Sequence, residues 1–230
     1  MAFNPLYLLL IVPALLGWWA QARVRDIYRK YSEQRSLSGA SGEVVAHKLL
    51  QAHNLGQVGV RRIQGTLTDH YNPQDESLNL TAATADGASV TAMGIVAHEV
   101  GHAVQDAEGY RLLQLRNTLA KPLGMAASLS SLVFIGGMFM GIPILRALGV
   151  LMLAGMTIFA IVTLPVERNA STRALAMLER SGLSSAEDRK GVRTVLRAAA
   201  FTYLAATGQR IANFLFFILL ALTALGVWGG

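Results

Sequence analysis

The run His98-Glu99-Val100-Gly101-His102 holds the residues whose types and spacing are most specific for chemistry in this chain. Two histidines four positions apart fall on one face of a helix, so both imidazoles can reach a single metal ion. The glutamate between them projects beside that ion and can act as a general base toward a water. Zinc brings the pKa of its water down to about 7, where a carboxylate can take the proton as the water attacks a peptide carbonyl. The chain contains no cysteine, which excludes disulfides and thiolate metal sites. A zinc site must therefore use histidine and carboxylate, the set found in catalytic rather than structural centres. Such a centre takes a third protein ligand. On spacing alone the candidates are His47, His53, His70 and Glu167. Glu167 opens a predicted helix just after an apolar segment, although an acid near a helix start is also favoured by the helix dipole alone.

The elements that must position these groups are legible in part. A helix is expected from the cap Ser89 to a stop at Gly109, with Val90, Met93, Ala97, Val100 and Val104 on its apolar side. Gly101 inside it costs about 1 kcal/mol relative to alanine, so it is either tolerated or admits a close neighbour. Upstream, 42–54 reads as an amphipathic helix capped by Ser41 and stopped by Gly56. Val58–Ile63, Thr66–His70 and Ser77–Thr81 read as short strands, with a turn at 72–75. Ser77–Thr81 is expected to be an edge strand lining the cleft, Leu78 and Leu80 inward and the free edge open to a peptide. Downstream, one helix is expected from Pro165 to Gly182, and another from the capping-box pattern at Ser184–Glu187 to about Ala206.

The rest of the chain is unusually apolar. Hydrophobic residues make up 53% of the 230 and charged residues only 15%, which points away from an ordinary soluble domain. Four segments have about the length that crosses a bilayer: Phe3–Ala20, Leu123–Gly141, Ile144–Leu164 and Ile211–Trp228. Gly141-Ile142-Pro143 leaves room only for a tight hairpin between the middle two. Arg23, Arg25, Arg29 and Lys30 follow the first segment directly, the reverse of a secretory signal, so it reads as an anchor with a cytoplasmic C-terminal end. Ten of the twenty Lys and Arg lie in 21–117 and eight in 165–210, which puts both polar segments on the cytoplasmic side. The net charge of +6 thus reads as membrane topology, not nucleic-acid binding. The expected organisation is an anchor at 3–20, a cytoplasmic part at 21–117 with the His-Glu helix, a hairpin at 123–164, cytoplasmic helices at 165–210 and a last span at 211–228. The fold class is a multi-pass α-helical membrane protein of about four spans with a small α+β zincin-like domain.

Ala97 through Gln105 and Leu164 through Ser171, together with Asp69–Pro73 and the run from Gly191 to Ala200, resemble the YugP-type neutral zinc metallopeptidases. These are bacterial membrane peptidases distantly similar to the HtpX group of gluzincins, and the resemblance covers nearly the whole chain. It implies His98, His102 and Glu167 as zinc ligands, one zinc per chain, and Glu99 as the catalytic base. It implies a peptide or protein substrate and a bacterial membrane; with the Lys and Arg distribution, the expected place is the bacterial cytoplasmic membrane, with the active site facing the cytoplasm. Arg168 and Asn169 depart from the family pattern, which has an aromatic and an acidic residue there. The partner that steadies a ligand imidazole is then open among Asn169, Ser171 and Asp106. His70, Tyr71 and Arg173 are candidate donors to the oxyanion. The rival reading is a non-enzymatic membrane scaffold or chaperone-like module that keeps a metal site; the intact Glu99 weighs against it, since a binder needs the ligands but not the base.

Overall fold

The structure is a computed structural model and describes residues 5–224. The outer ends of the first and last expected spans, at 3–4 and 225–228, lie outside them. The chain is mostly helical with one small sheet, and it divides into two compact units.

One unit comprises Ala22–Gln114 and Pro165–Phe201, and so joins two stretches far apart in sequence. Its sheet contains β1 (Gly59–Ile63), β2 (His70–Asn72) and β3 (Ser77–Thr81) in the order β1-β3-β2. β3 is therefore central. It pairs in parallel with β1, Arg61 opposite Asn79, and antiparallel with β2, Tyr71 opposite Leu78. This overturns the expectation of a free edge at Ser77–Thr81. The alternation of Leu78 and Leu80 with polar residues mimics a half-exposed strand, but all five residues are buried. The polar ones are satisfied inside: Ser77 Oγ donates to Asp75 at 2.7 Å, Asn79 Nδ2 to Ser77 Oγ at 3.0 Å, and the Thr81 N–H to Asp69 at 2.7 Å. Buried polar side chains carry no penalty once so paired. The strand expected at Thr66–His70 lies instead at His70–Asn72.

Helix α2 (Gly42–Ala52) begins at Ser41, whose Oγ accepts the Val44 N–H, and ends before Asn54, which takes φ +58°. The short α3 (Ala82–Ala85) follows the sheet. Helix α4 (Val90–Ala107) starts where Ser89 Oγ accepts the Ala92 N–H at 3.1 Å. It stops at Gly109, whose φ of +64° suits a residue without Cβ. Leu49, Leu78, Leu80, Val96, Val100 and Leu178 meet in one core, so α4 is held by α2 and the sheet as well as by the second stretch.

The other unit comprises Met1–Gln21, Leu115–Leu164 and Thr202–Gly230, and three long helices run into it: α5 (Arg111–Phe139), α6 (Pro143–Arg180) and α7 (Ala186–Ala224). These three are long and apolar enough to cross a membrane. Their outer surfaces are apolar, with Phe139 at 87% exposure and Leu132 and Leu151 also exposed, as side chains facing lipid would be. Gly141, at φ +66°, makes the tight turn between α5 and α6. Helix α1 (Leu8–Glu33) carries the first apolar segment, but only Leu8–Ala20 of it is apolar within the described residues, shorter than the roughly 20 residues a span needs.

The expected helix breaks at the ends of the apolar segments do not occur. α6 passes through Pro165 without ending, and α7 continues from its polar start through Ile211. Helical backbone bonds are internal to the segment, so a helix need not end where its side chains change from apolar to polar. Pro165 forgoes one of those bonds and is carried by the rest of a 38-residue helix.

Candidate metal centre

α4 supplies His98, Glu99 and His102; α6 supplies Glu167 beyond its apolar stretch. The helices approach closely because position 101 is glycine: a Cβ there would stand 2.7 Å from the Ala170 carbonyl oxygen. Only a residue without a side chain lets the two backbones come this near.

The ligand-capable atoms of His98, His102 and Glu167 all lie within 4.8 Å of one another. His98 Nε2 is 3.1 Å and His102 Nε2 3.7 Å from the same Glu167 oxygen, and the two rings stand nearly perpendicular at 4.8 Å. Glu167 is 3% exposed and His102 7%, so this carboxylate sits in a buried pocket facing two nitrogens. Two imidazoles and a carboxylate, converging and mostly shielded from water, suit zinc in number, type and placement.

The outer nitrogens show how the rings are held. His102 Nδ1 lies 2.9 Å from Gln105 Oε1. Gln105 Nε2 donates to the Val166 carbonyl and to Asn169 Oδ1, both at 2.9 Å. A backbone carbonyl only accepts, so the Gln105 amide has one orientation, and its oxygen must face His102. His102 therefore carries its proton on Nδ1 and presents a bare Nε2 toward Glu167 and His98. His98 Nδ1 meets Ser171 Oγ at 3.2 Å, a hydroxyl able to accept the same proton. Gln105 does for His102 what a carboxylate commonly does for a metal-binding imidazole. Sequence reasoning missed it: a glutamine three positions after a histidine has many uses, and its fixing contacts lie 61 and 64 residues away.

Asn169 reaches His102 through Gln105, and Ser171 touches His98 directly. Asp106 is elsewhere, accepting the Tyr71 hydroxyl at 3.0 Å. Burial first, then this hydrogen bond to Asp106, pushes the Tyr71 hydroxyl well above its ordinary range, so it stays protonated. The backbone N–H of Tyr71 donates to Glu99 Oε2 at 2.9 Å, which ties β2 to the glutamate between the histidines. His70 is exposed and holds the Thr68 carbonyl at 2.8 Å, outside the three-residue cluster. Arg173 is engaged on both sides, by Asn169 Oδ1 at 2.7 Å and by Glu108 at 2.6 Å. Its guanidinium holds the Glu108 carboxyl below the usual range. His53 binds the Leu49 carbonyl, and neither His47 nor His53 joins the cluster.

A helix pair that assembles two histidines, a buried carboxylate and an adjacent glutamate defines a centre of the zinc-peptidase kind. The chain belongs to the family described as "Putative neutral zinc metallopeptidase", whose pattern it matches over residues 6–222. It is 37% identical over 218 residues to "Putative membrane protease YugP" of Bacillus subtilis (strain 168), a match covering 94% of this chain and 97% of that protein. No solved structure matches it. It is thus a membrane-associated member of a zinc metallopeptidase family.

Proposed function

We propose that the chain is an integral-membrane endopeptidase that holds one zinc ion with His98 Nε2, His102 Nε2 and Glu167, and uses Glu99 as its catalytic base. The observation that carries this reading is the convergence of those three donor groups within 4.8 Å, with Glu99 on the next position of the same helix. A zinc ion held there supplies a Lewis acid that polarises a peptide carbonyl and acidifies water. Gln105 and Ser171 hold the Nδ1 protons and so keep both Nε2 lone pairs turned inward. Glu99 takes the proton of the attacking water and returns it to the leaving amine. One of its oxygens is pinned by the Tyr71 N–H, while the other has no hydrogen-bond partner among the described residues and is free to accept that proton. At 8% exposure Glu99 is largely shielded, which strengthens its interactions with charge that develops beside it.

The unit of Ala22–Gln114 and Pro165–Phe201 is the zincin-like part, and the apolar segments at 3–20, 123–141, 144–164 and 211–228 are four spans in the cytoplasmic membrane. The eighteen Lys and Arg at 21–117 and 165–210 support a cytoplasmic face for the site. Metal analysis of the purified chain, paired with casein hydrolysis by wild type and Glu99→Gln, tests the reading. About one zinc in both proteins, with hydrolysis lost only in the variant, is the expected result. A variant as active as wild type overturns the mechanism; zinc without hydrolysis in either protein leaves the scaffold reading instead. Orientation is tested separately with single cysteines, since the chain has none of its own. Cysteines at Glu108 and Glu187 should resist impermeant thiol reagents in intact cells and one at Gly141 should react; the reverse pattern overturns the topology.

A further inference from the structure

The apolar unit contains a polar cavity of about 690 Å³, a size that admits a small ligand. Its wall includes Gln21 of α1, Ser130 and Ser131 of α5, and Gln209, Arg210 and Asn213 of α7. Trp18, Leu153 and Met156 add apolar surface to it. No carboxylate lines it, and none among the described residues pairs with Arg210. Gln209 Nε2 donates to Asn213 Oδ1 at 2.7 Å, but the buried Gln209 Oε1 has no partner among the described residues. A lone cation and an unsatisfied amide among apolar helices are costly unless something outside the chain completes them.

The cavity's own chemistry names that partner. Arg210 calls for an anion, phosphate best matching its planar fork. The amides of Gln209, Asn213 and Gln21 call for a group that both donates and accepts. Trp18 and Gln21 close the first apolar segment, and Arg210 directly precedes the last. On the proposed spans this is headgroup depth, where tryptophan also concentrates. We propose that the cavity binds the headgroup of one anionic phospholipid, its phosphate on Arg210 and its hydroxyls on Gln209 and Asn213. A soluble glycerol phosphate offers the same polar groups, and the test separates it from the lipid by omitting the acyl chains.

The full chain, purified in detergent, is titrated in native mass spectrometry with phosphatidylglycerol, with phosphatidylcholine of the same chains, and with glycerol 3-phosphate. One phosphatidylglycerol per chain should bind at least about fivefold more tightly than phosphatidylcholine, whose choline cation cancels the phosphate charge before Arg210 and carries no hydroxyl. Arg210→Gln should erase that preference. Arg146→Gln should keep it, because Arg146 lines a separate, apolar groove between α6 and α7. If Arg210→Gln does not fold, Gln209→Glu decides: a carboxylate in the cavity wall repels phosphate and should also erase the preference. Equal binding of the two lipids, a preference that survives both cavity variants, or glycerol 3-phosphate binding as tightly as the lipid would each overturn the proposal.

Discussion

Two polar clusters are built into this chain, and they differ in how completely they satisfy themselves. Around His102 each polar atom meets another in sequence: Nδ1 on Gln105, Gln105 on Val166 and Asn169, Asn169 on Arg173, and Arg173 on Glu108. Around Gln209 the network stops short: among the described residues one buried oxygen is unpartnered and a guanidinium faces no carboxylate. A closed network fixes orientation, so the first cluster presents its nitrogens in one tautomer before any metal arrives. An open one fixes little and waits for a ligand to supply what is missing.

Breaking the closed cluster should cost most where a donor itself is removed. His102→Ala and Glu167→Ala are expected to reduce zinc from about one per chain to near none, whereas His47→Ala and His53→Ala keep it; zinc titration of the four variants ranks them, and loss in a His47 or His53 variant alone would move the third ligand there. Glu99→Gln should lower hydrolysis by about 10²–10⁴-fold with zinc retained. Next comes the support of the ring. Gln105→Leu leaves the donors in place but frees the tautomer, and should weaken zinc binding about 10- to 100-fold by competition with a chelator. Ser171→Ala should have a smaller effect, because His98 is less buried and its partner is a single hydroxyl. Equal losses in the Gln105 and Ser171 variants would mean that the extended network adds nothing beyond one hydrogen bond.

Packing and outer contacts come last. Gly101→Ala forces a methyl against the Ala170 carbonyl and should destabilise the fold by about 1–3 kcal/mol, read as a fall in melting temperature with or without metal. Unchanged melting would show that α4 and α6 can separate without penalty. Tyr71→Phe removes the bond to Asp106 but not the backbone N–H on Glu99. Hydrolysis should therefore stay within a few-fold of wild type, and a loss approaching that of Glu99→Gln would assign the hydroxyl a direct part in the reaction.

Local signals carried much of this architecture. Ser89 and Gly109 mark the ends of α4, Ser41 marks the start of α2, and the spacing of His98 and His102 puts them on one face. Leu78 and Leu80 were legible as inward-facing. What depended on distant partners was not. The buried polar residues of β3 look like a solvent face until Asp69, Asp75 and Thr84 are seen to satisfy them. The parallel pairing of β1 with β3 puts the later strand in the middle, and no local pattern announces that order. Pro165 reads as a helix start because proline favours the first turn, yet it sits within α6.

The donor set has a consequence for the order of events during synthesis. His98 and Glu167 are 69 residues apart, and the whole hairpin of α5 and the start of α6 lies between them. A nascent chain that has completed α4 holds His98, Glu99 and His102 but not Glu167, and Gln105 still lacks Val166 and Asn169. Only after both apolar arms of the hairpin have emerged can that centre close. On the proposed function, biogenesis itself would thus act as a timer, keeping a half-inserted chain inert beside the unfolded polypeptides around the insertion machinery.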